Sequence, residues 1–533
     1  MTLAPRFLVN FWAGWRVAQL SRRLRDKDHD ATAQAGAFAR LMARTARTEF
    51  GRAHSLAADT PYARFRERVP PRLHDHFAPL VARMAAGEPH VLAPGRCDFF
   101  VETAGTTGAA PKLLPVTDAM LAHYRRGLCI ALFFHAARAG HTGVFLGRHL
   151  HAGASTAVTE ANGTYRTSLD GMFALCLSPW AEANLYAPPP AVARLPAGPE
   201  KLAQMARVMI PRDVTLIGGT PAGVCALAEA VCAAAPAGAQ RAAHLQAVWP
   251  NLECFTFTGA PLGLFAETLR AMLGPTVAFQ EIYAAAEGVI AAQDDHGAAG
   301  LRLLADAGVF FEFLPLRLFH QETLGHAGTD CAPLAEVQAN VDYVLVLTTP
   351  AGLCRYVPGD IVRFHSVHPP RLQFVGRTQL QLNAASERVT ERELLDTLLA
   401  VCTRNGWQPV GLHVAPYRRR IAAGLNLNCH EWWLELRPLT TRTPTANVLG
   451  PQFDAELARR NPDYAARRAA HALDQPSIRL VIPGVFEQWS QARQKEGGAG
   501  KLPLCRSDRV VADQLAALTR FHQETTSPYE AGP

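Results

Sequence analysis

VTLIGGTPAGVCALAEAVCAAA, residues 214–235, with LECFTF at 252–257, is the stretch that decides the fold. Val214–Ile217 is a short apolar run, the pattern of a strand buried on both faces. Pro221 opens a helical stretch to Ala235, since proline suits a first helical turn, and Leu252–Phe257 returns to strand. A helix over Phe265–Leu273 and a short strand near Val277–Phe279 continue the rhythm. Strand alternating with helix implies an α/β domain in which loops at the strand ends carry function.

Two of those loops have suggestive chemistry. TGAPL (Thr258–Leu262) is small enough at Gly259 and Ala260 for backbone to lie against a planar ring. EIYAAAEG (Glu281–Gly288) offers the aromatic face of Tyr283 to a base and the carboxylate of Glu287 to a cation, as a nucleotide with Mg²⁺ would need. On the residues alone, a core tyrosine and a helix-face glutamate remain the alternative. Further on, GVFFEFLPL (308–316) and YVLVLT (343–348) read as strands. Arg355–Asp360 is a turn before the strand Ile361–Phe364. Asp360 can accept from both hydroxyls of a ribose, or simply from its own turn backbone.

Before this domain stands TAGTTGAAPK, Thr103–Lys112, just after a strand ending in Phe99–Val101. Glycines that let N–H groups converge, threonine hydroxyls and a terminal ammonium make a phosphate grip. A Walker loop is excluded, because that pattern ends G-K-[ST] and here Ala110 and Pro111 precede Lys112. An ordinary surface loop is the competing reading.

Elsewhere, residues 1–50 read as helical, with Phe38, Leu41, Met42 and Ala46 on one face. A helix is expected near Phe77–Ala86, and His74 and His76 are read as surface residues for want of further ligands. Asp118 is expected to cap a helix running to about Ala137, Gly143–Leu146 to form a short strand, and residues 188–200 to be a surface connection. Met120, Tyr124, Phe133, Phe134 and Leu216–Thr220 suit an acyl pocket and a core equally. A strand ending in VGRT (Val375–Thr378) leads to the polar stretch Gln379–Ser386, read as a hinge, then a helix from Thr390. The rest reads as a smaller α+β unit, with a strand at Cys429–Pro438, a helix broken at Asn461–Pro462 and a loop, GGAGK, ending at Lys501.

Length and composition bound the rest. A chain of 533 residues exceeds one core. A net charge of +7 without a basic stripe argues against nucleic acid as a partner. The longest apolar run, Leu128–Phe134, cannot span a membrane, and no cleavable signal is evident. Phe7, Phe11, Trp12 and Trp15 are expected to pack in the core, with an interfacial helix as the lesser alternative. Eleven scattered cysteines suggest a reduced, cytoplasmic protein. Only five of the 53 basic residues are lysine: Lys27, Lys112, Lys201, Lys495 and Lys501. A lysine retained in such a chain points to a need for a compact ammonium.

With these pieces in order, the sequence resembles the adenylate-forming superfamily of acyl-CoA synthetases, adenylation domains and luciferases. Within it, the likeness is to the acyl-acid amido synthetases of the Gretchen Hagen (auxin-conjugating) type and their bacterial relatives. It covers nearly the whole chain through EFGRAH (49–54), FRERVPPR (65–72), GEPHVLAPG (87–95), WPNLE (249–253), GVFFEFLP (308–315), AGLCRYVPGD (351–360), GRTQLQLNAASERV (376–389), HEWWLE (430–435) and GAGKLP (498–503).

The resemblance implies an α/β fold with two parts. One is a large N-terminal domain, 1–380, with helix-flanked sheets and a small β-barrel-like part. The other is a mobile α+β domain, 381–533. It implies that Thr103, Gly105, Thr106, Thr107, Gly108 and Lys112 serve the ATP phosphates, and that Gly259, Ala260 and Tyr283 serve adenine. Glu287 would bind Mg²⁺, Asp360 the ribose, and Arg377 would close the last strand before the hinge. Lys501 would be the mobile catalytic lysine. Ala104, Ala286 and Ser386 depart from the family pattern, the first two removing hydroxyls near the nucleotide. The implied reaction adenylates a carboxylic acid and passes the acyl group to an amine, expected to be an amino acid, in a monomeric enzyme. An acyl-CoA ligase and a weakly active nucleotide-binding protein are the alternatives.

Overall fold

The computed structural model describes residues 6–103, 112–235, 244–258, 262–385, 387–422, 425–439, 444–495 and 502–526. Among them the strands form sheets of twelve, four and three. Contacts divide the chain into two compact units. The larger comprises the described parts of Met1–Thr103, Lys112–Pro358 and Val362–Gln373; the second includes Gly359–Ile361 and the chain from Phe374.

Most of the twelve-stranded sheet lies in the large unit. One end is parallel: Tyr186–Ala187, Arg148–Ala152, Val214–Gly219, Cys254–Phe257 and Ala278–Ala285 are neighbours in that order. The connecting helices pack one face and the helices Asp118–Ala139 and Arg6–Arg23 the other, so Val214–Ile217 and Cys254–Phe257 are wholly buried, as their near-continuous apolar character predicts. At Ala278–Ala285 the sheet changes character, because that strand makes an antiparallel hairpin with Gly288–Ala292. From there the order runs through Leu301–Leu303, Pro370–Arg377, Asp360–Val367, Asp342–Thr348, Phe310–Pro315 and Ala332–Pro333. A separate mixed sheet holds β1 (Phe99–Thr103) against β2 (Lys112–Val116), with Thr164–Thr167 and Val158–Ala161 beyond β1.

Several local expectations are corrected. The helix Asp118–Ala139 is capped by Thr117, whose hydroxyl accepts the Met120 N–H at 3.2 Å, and Asp118 is its first residue. Gly143–Leu146 is a 3-10 turn, not a strand. The Val144 carbonyl accepts from the Thr215 hydroxyl and contacts His149 Nε2, both at 2.8 Å, so it is not available to a sheet ladder. The 188–200 connection is partly interior: Val192 and Ala193 are buried, and the Lys201 ammonium donates to the carbonyls of Gly153, Ala154 and Ala193. Three converging carbonyls explain a lysine here in an arginine-rich chain. His74 is half-buried, and burial followed by the nearby Lys112 charge holds its pKa below the usual value. Met120, Tyr124, Phe133 and Phe134 are buried core residues. Core packing fails for the first helix, where Phe7 is 69%, Phe11 76% and Trp15 53% exposed.

The second unit centres on a long antiparallel pair, Trp407–Ala422 with Leu425–Pro438, extended in parallel by Ser477–Leu480. Helices Glu391–Asn405 and Ala446–Arg460 pack on it, and Pro462 starts a separate helix, Pro462–Ala469, as the sequence indicates. Thr390 and Glu393 form a reciprocal capping box at the first of these helices. Trp432 and Leu434 are fully buried, but so are Glu431 and Glu435 or nearly so; Glu435 Oε1 accepts the Gly484 N–H at 2.9 Å. Glu431 accepts from Arg479 at 2.9 Å and from Arg509 at 2.8 Å.

Candidate functional site

The turn that carries Glu287 lies where the large sheet passes from parallel to antiparallel, and the helix Asp118–Ala139 braces it from behind. Gly127 lets this helix approach closely; a Cβ there would come within 2.7 Å of the Val289 Cβ. One turn earlier, His123 Nε2 accepts the Val289 N–H at 2.9 Å while Nδ1 reaches the Ala307 carbonyl at 2.9 Å. A backbone N–H can only donate, so the proton sits on Nδ1 and the ring is neutral. The neighbouring Tyr124 hydroxyl donates to the Ala285 carbonyl. Burial, then the Glu287 charge, push the Tyr124 phenol well above its ordinary pKa, so it remains a donor.

Glu287 itself is 9% exposed, and Tyr356 donates its hydroxyl to Glu287 Oε1 at 3.3 Å. Ala286 is buried beside it in the core. A carboxylate held inside by a phenol and a braced hairpin is preorganised for a cation. A single carboxylate suits Mg²⁺, which keeps waters and phosphate oxygens as most of its ligands. Among the described residues no group of three or more His, Cys, Asp or Glu gathers as a protein-only metal cage would require.

His123 makes a testable contribution to stability. Burial lowers its pKa to about 4, whereas in the unfolded chain it titrates near the ordinary value of 6.5. The unfolded state therefore takes up the proton first. Above pH 6.5 the group adds no pH dependence, and stability falls as the pH drops through the interval down to about 4, by ~3 kcal/mol for a group so buried. Thermal unfolding across this range should show that loss for the parent protein and a flatter profile for His123→Asn.

On the parallel side, Thr258 ends the strand Cys254–Phe257. Its hydroxyl bonds the Ala284 carbonyl at 3.1 Å and accepts the Ala284 N–H at 3.3 Å. Tyr283, the residue before, is half-buried and pairs with Ala291 across the hairpin. The structure thus brings Thr258, Tyr283 and Glu287 to the ends of neighbouring central strands of the large sheet. Tyr283 belongs to a strand longer than the short one expected at Val277–Phe279. Thr103 and Lys112 close the β1–β2 ladder as its last pair, and the Thr103 hydroxyl donates to the Lys112 carbonyl at 3.4 Å. The intervening segment therefore springs from a hairpin stem. A Walker loop would instead join a strand to a helix.

In the second unit, Gly359 turns the chain at φ +97°, a conformation that favours glycine, and its carbonyl accepts the Thr378 N–H at 2.8 Å. That turn sets Asp360, 5% exposed, where its Oδ1 accepts from Arg377 Nε at 3.2 Å. Two residues singled out separately in the sequence are thus an ion pair. After the segment read as a hinge, Glu387 accepts the N–H groups of Ala384 at 2.8 Å and Ala385 at 2.6 Å, and His430 Nε2 at 2.8 Å. Burial alone would raise the Glu387 pKa, but His430 and the two amides outweigh it and hold the carboxyl low. The histidine of HEWWLE is therefore an anchor for the end of the hinge segment. Gly105, Thr106, Thr107, Gly108, Gly259, Ala260 and Lys501 lie outside the described residues, as do Ala104 and Ser386.

His123 and Tyr356 are the supporting residues that sequence reasoning missed. Tyr356 sits inside RYVPGD, so its place beside Asp360 was a usable signal; nothing in the spacing of His123 reveals its role. A cavity of about 600 Å³ opens behind this brace, lined by His123 itself with Arg23, Arg40, Arg44, Arg126 and Asp306, and none of the sequence-predicted site residues borders it.

Comparison with known proteins converges on one family. Residues 20–174 match the GH3 family N-terminal domain, 302–377 the GH3 family central domain and 410–510 the GH3 family C-terminal domain, together more than half of the chain. Among curated proteins, a probable indole-3-acetic acid-amido synthetase, GH3.9 of Oryza sativa subsp. japonica, is 29% identical over 221 residues, which is 39% of this chain and 48% of the relative. The indole-3-acetic acid-amido synthetase GH3.8 of Oryza sativa subsp. indica is 27% identical over 285 residues, 50% of this chain and 46% of the relative. The aligned part thus spans about half the length of these relatives. Among solved structures, the AtGH3.15 acyl acid amido synthetase in complex with 2,4-DB superposes with a TM-score of 0.74 at 17% identity, covering 93% of this chain and 95% of that one. A 2-hydroxyisobutyryl-CoA ligase in the postadenylation state gives 0.55 at 13% identity, with 92% of each chain covered. At these identities the structural likeness establishes the fold, that of the adenylate-forming enzymes.

Proposed function

Since this chain belongs to the GH3 family, we propose that it is an ATP-dependent ligase joining a carboxylic acid to an amine, with an amino acid as the amine. The observation that carries the reading is the buried Glu287, held by Tyr356 in a hairpin braced by His123 and Tyr124, with Tyr283 and Thr258 at the same end of the neighbouring strands. In the first half-reaction the substrate carboxylate attacks the α-phosphorus of ATP and pyrophosphate leaves. Tyr283 stacks on adenine, with Gly259 and Ala260 against the ring. Asp360 accepts from the ribose hydroxyls, and Arg377 orients that carboxylate. Thr103, Gly105, Thr106, Thr107, Gly108 and Lys112 hold the β- and γ-phosphates. Lys112 and Lys501 offset the negative charge that develops on the phosphate oxygens. Glu287 would hold Mg²⁺, whose chemistry is to neutralise phosphate charge. In the second half-reaction the amine attacks the acyl carbon, forming the amide and releasing AMP.

The domain assignment, 1–380 for nucleotide and acyl substrate and 381–533 for a mobile unit carrying Lys501, draws support from a contact boundary near Phe374. Eleven unpaired cysteines support a reducing, cytoplasmic location. Among the described residues no helix is long and apolar enough to cross a membrane. A monomer is the working expectation, checked by sedimentation.

The second reading, an acyl-CoA ligase, rests on the fold shared with the 2-hydroxyisobutyryl-CoA ligase. Offering amino acids and coenzyme A in parallel to the enzyme with ATP and a panel of acids separates the two: amide with AMP supports the first, thioester with AMP the second. Two substitutions test the site. Glu287→Gln should raise the Mg²⁺ concentration needed for half-maximal rate and lower kcat. Asp360→Ala should raise KM for ATP about tenfold, the cost of about 1.4 kcal/mol expected for charged hydrogen bonds to ribose. An unchanged KM would remove the ribose role.

A further inference from the structure

The helix α1, Arg6–Arg23, is apolar on two opposite sides. Val9 and Ala13 are buried, with Val17 and Leu20 beside them, in a cluster with Phe133, Val144 and Phe145 that fixes the helix to the large unit. At about 100° per residue, Phe7, Leu8, Phe11, Trp12 and Trp15 fall on the reverse arc. They are 69%, 49%, 76%, 44% and 53% exposed, five of the protein's exposed large apolar side chains within nine residues. Scattered exposed apolar residues need no explanation, whereas a contiguous aromatic patch marks an interaction surface.

The charge that the helix itself carries is all of one sign, and of its arginines Arg6 pairs with Asp213 at 3.3 Å. Residues 1–25 contain five arginines and neither aspartate nor glutamate. Arg22 continues the aromatic arc in the last turn and Arg23 flanks it; both are exposed and make no ion pair with a carboxylate among the described residues. Arg16 lies near the Trp15 and Phe133 rings, at 6.0 and 5.8 Å from their centroids. Aromatic side chains that suit the headgroup boundary, followed by unpaired guanidiniums, complement an anionic lipid surface. A second copy of the same surface would supply aromatic rings but no negative charge for Arg22 and Arg23.

We propose that α1 docks the protein, peripherally and reversibly, on anionic membranes through Phe7, Leu8, Phe11, Trp12 and Trp15, with Arg22 and Arg23 facing the lipid phosphates. The packed side of α1 stays on the protein body, so docking requires no unfolding of the helix. It would hold the enzyme at the surface where amphiphilic carboxylic acids partition.

Co-sedimentation of the full chain with vesicles tests this. Vesicles of phosphatidylcholine mixed with phosphatidylglycerol should carry the protein down, vesicles of phosphatidylcholine alone should carry far less, and raised salt should weaken the binding. The triple variant Phe7→Ser, Phe11→Ser, Trp15→Ser and the double variant Arg22→Glu, Arg23→Glu should each lose about tenfold or more in vesicle affinity. All five positions are solvent-facing, and circular dichroism checks that the fold is kept. Without any substitution, tryptophan fluorescence should be quenched by brominated phosphatidylglycerol. Absence of binding to the mixed vesicles, or binding that both variants retain, would overturn the proposal. So would self-association of the parent chain in sedimentation velocity that the triple variant abolishes, because the aromatic arc would then be a contact between copies.

Discussion

Replacing Lys501 with alanine is expected to slow acyl-adenylate formation about 10²–10³-fold, the loss typical when one preorganised charge partner of a developing oxyanion is removed, while leaving ATP affinity nearly intact. The reasoning begins with composition. The chain uses arginine for nearly every cation, yet keeps lysine at the end of GGAGK and at the end of TAGTTGAAPK. A flexible stem with a compact ammonium can follow charge as it moves from carboxylate to phosphate, which a planar guanidinium does less well. Single-turnover formation of the acyl adenylate, measured beside equilibrium binding of ATP, separates the two effects. Lys501→Arg should recover little of the rate. An unaltered adenylation rate in Lys501→Ala would remove the assignment.

Arg355→Ala should cost about 3–5 kcal/mol of stability, because it leaves Glu312, whose pKa burial already raises, buried without its cationic partner. Both side chains of this pair are fully buried. Arg355 Nε donates to Glu312 Oε2 at 3.0 Å, Nη1 to the carbonyls of Arg66 and Val69, and Nη2 to the carbonyl of Gly328. Tyr62 donates to the other Glu312 oxygen at 2.8 Å. One side chain thus ties three segments together just before the turn that leads to Asp360, and it does so from a backbone φ of +51°. Denaturant unfolding gives the cost directly. The double variant Arg355→Met, Glu312→Leu should recover much of it, since the hydrophobic isostere of a buried pair is often neutral. A single variant within about 0.5 kcal/mol of the parent, the range of a surface substitution, would contradict the role given to the pair.

The parallel half of the sheet was readable because buried parallel strands are near-continuous apolar runs, and Val214–Gly219 and Cys254–Phe257 have no polar face to confuse the period. Asn461–Pro462 was readable for a similar reason, since proline leaves the helix little choice. Gly143–Leu146 was misread because four apolar residues look alike in a strand and in a 3-10 turn, and the hydroxyl of Thr215 that decides the matter is 71 positions away. Thr117 was passed over as cap for Asp118 because either residue type suits the position by itself. The first helix was misread because its two apolar arcs look like core from the sequence, and only packing shows which one is covered. At the candidate site, motif order singled out Glu287, Asp360 and Arg377 but not the residues that contact them. His123 acts through a backbone N–H of a strand 166 positions later, a relation no local pattern encodes. The Asp360–Arg377 pair was visible as two residues and became one feature only through the Gly359 turn.

ATP–pyrophosphate exchange, run with Mg²⁺ across a panel of carboxylic acids, tests adenylation most directly. Exchange that appears only with added acid, falls in Glu287→Gln and is nearly lost in Lys501→Ala is the predicted result. Absence of acid-dependent exchange throughout the panel, with no AMP formed when amino acids or coenzyme A are added, would contradict it.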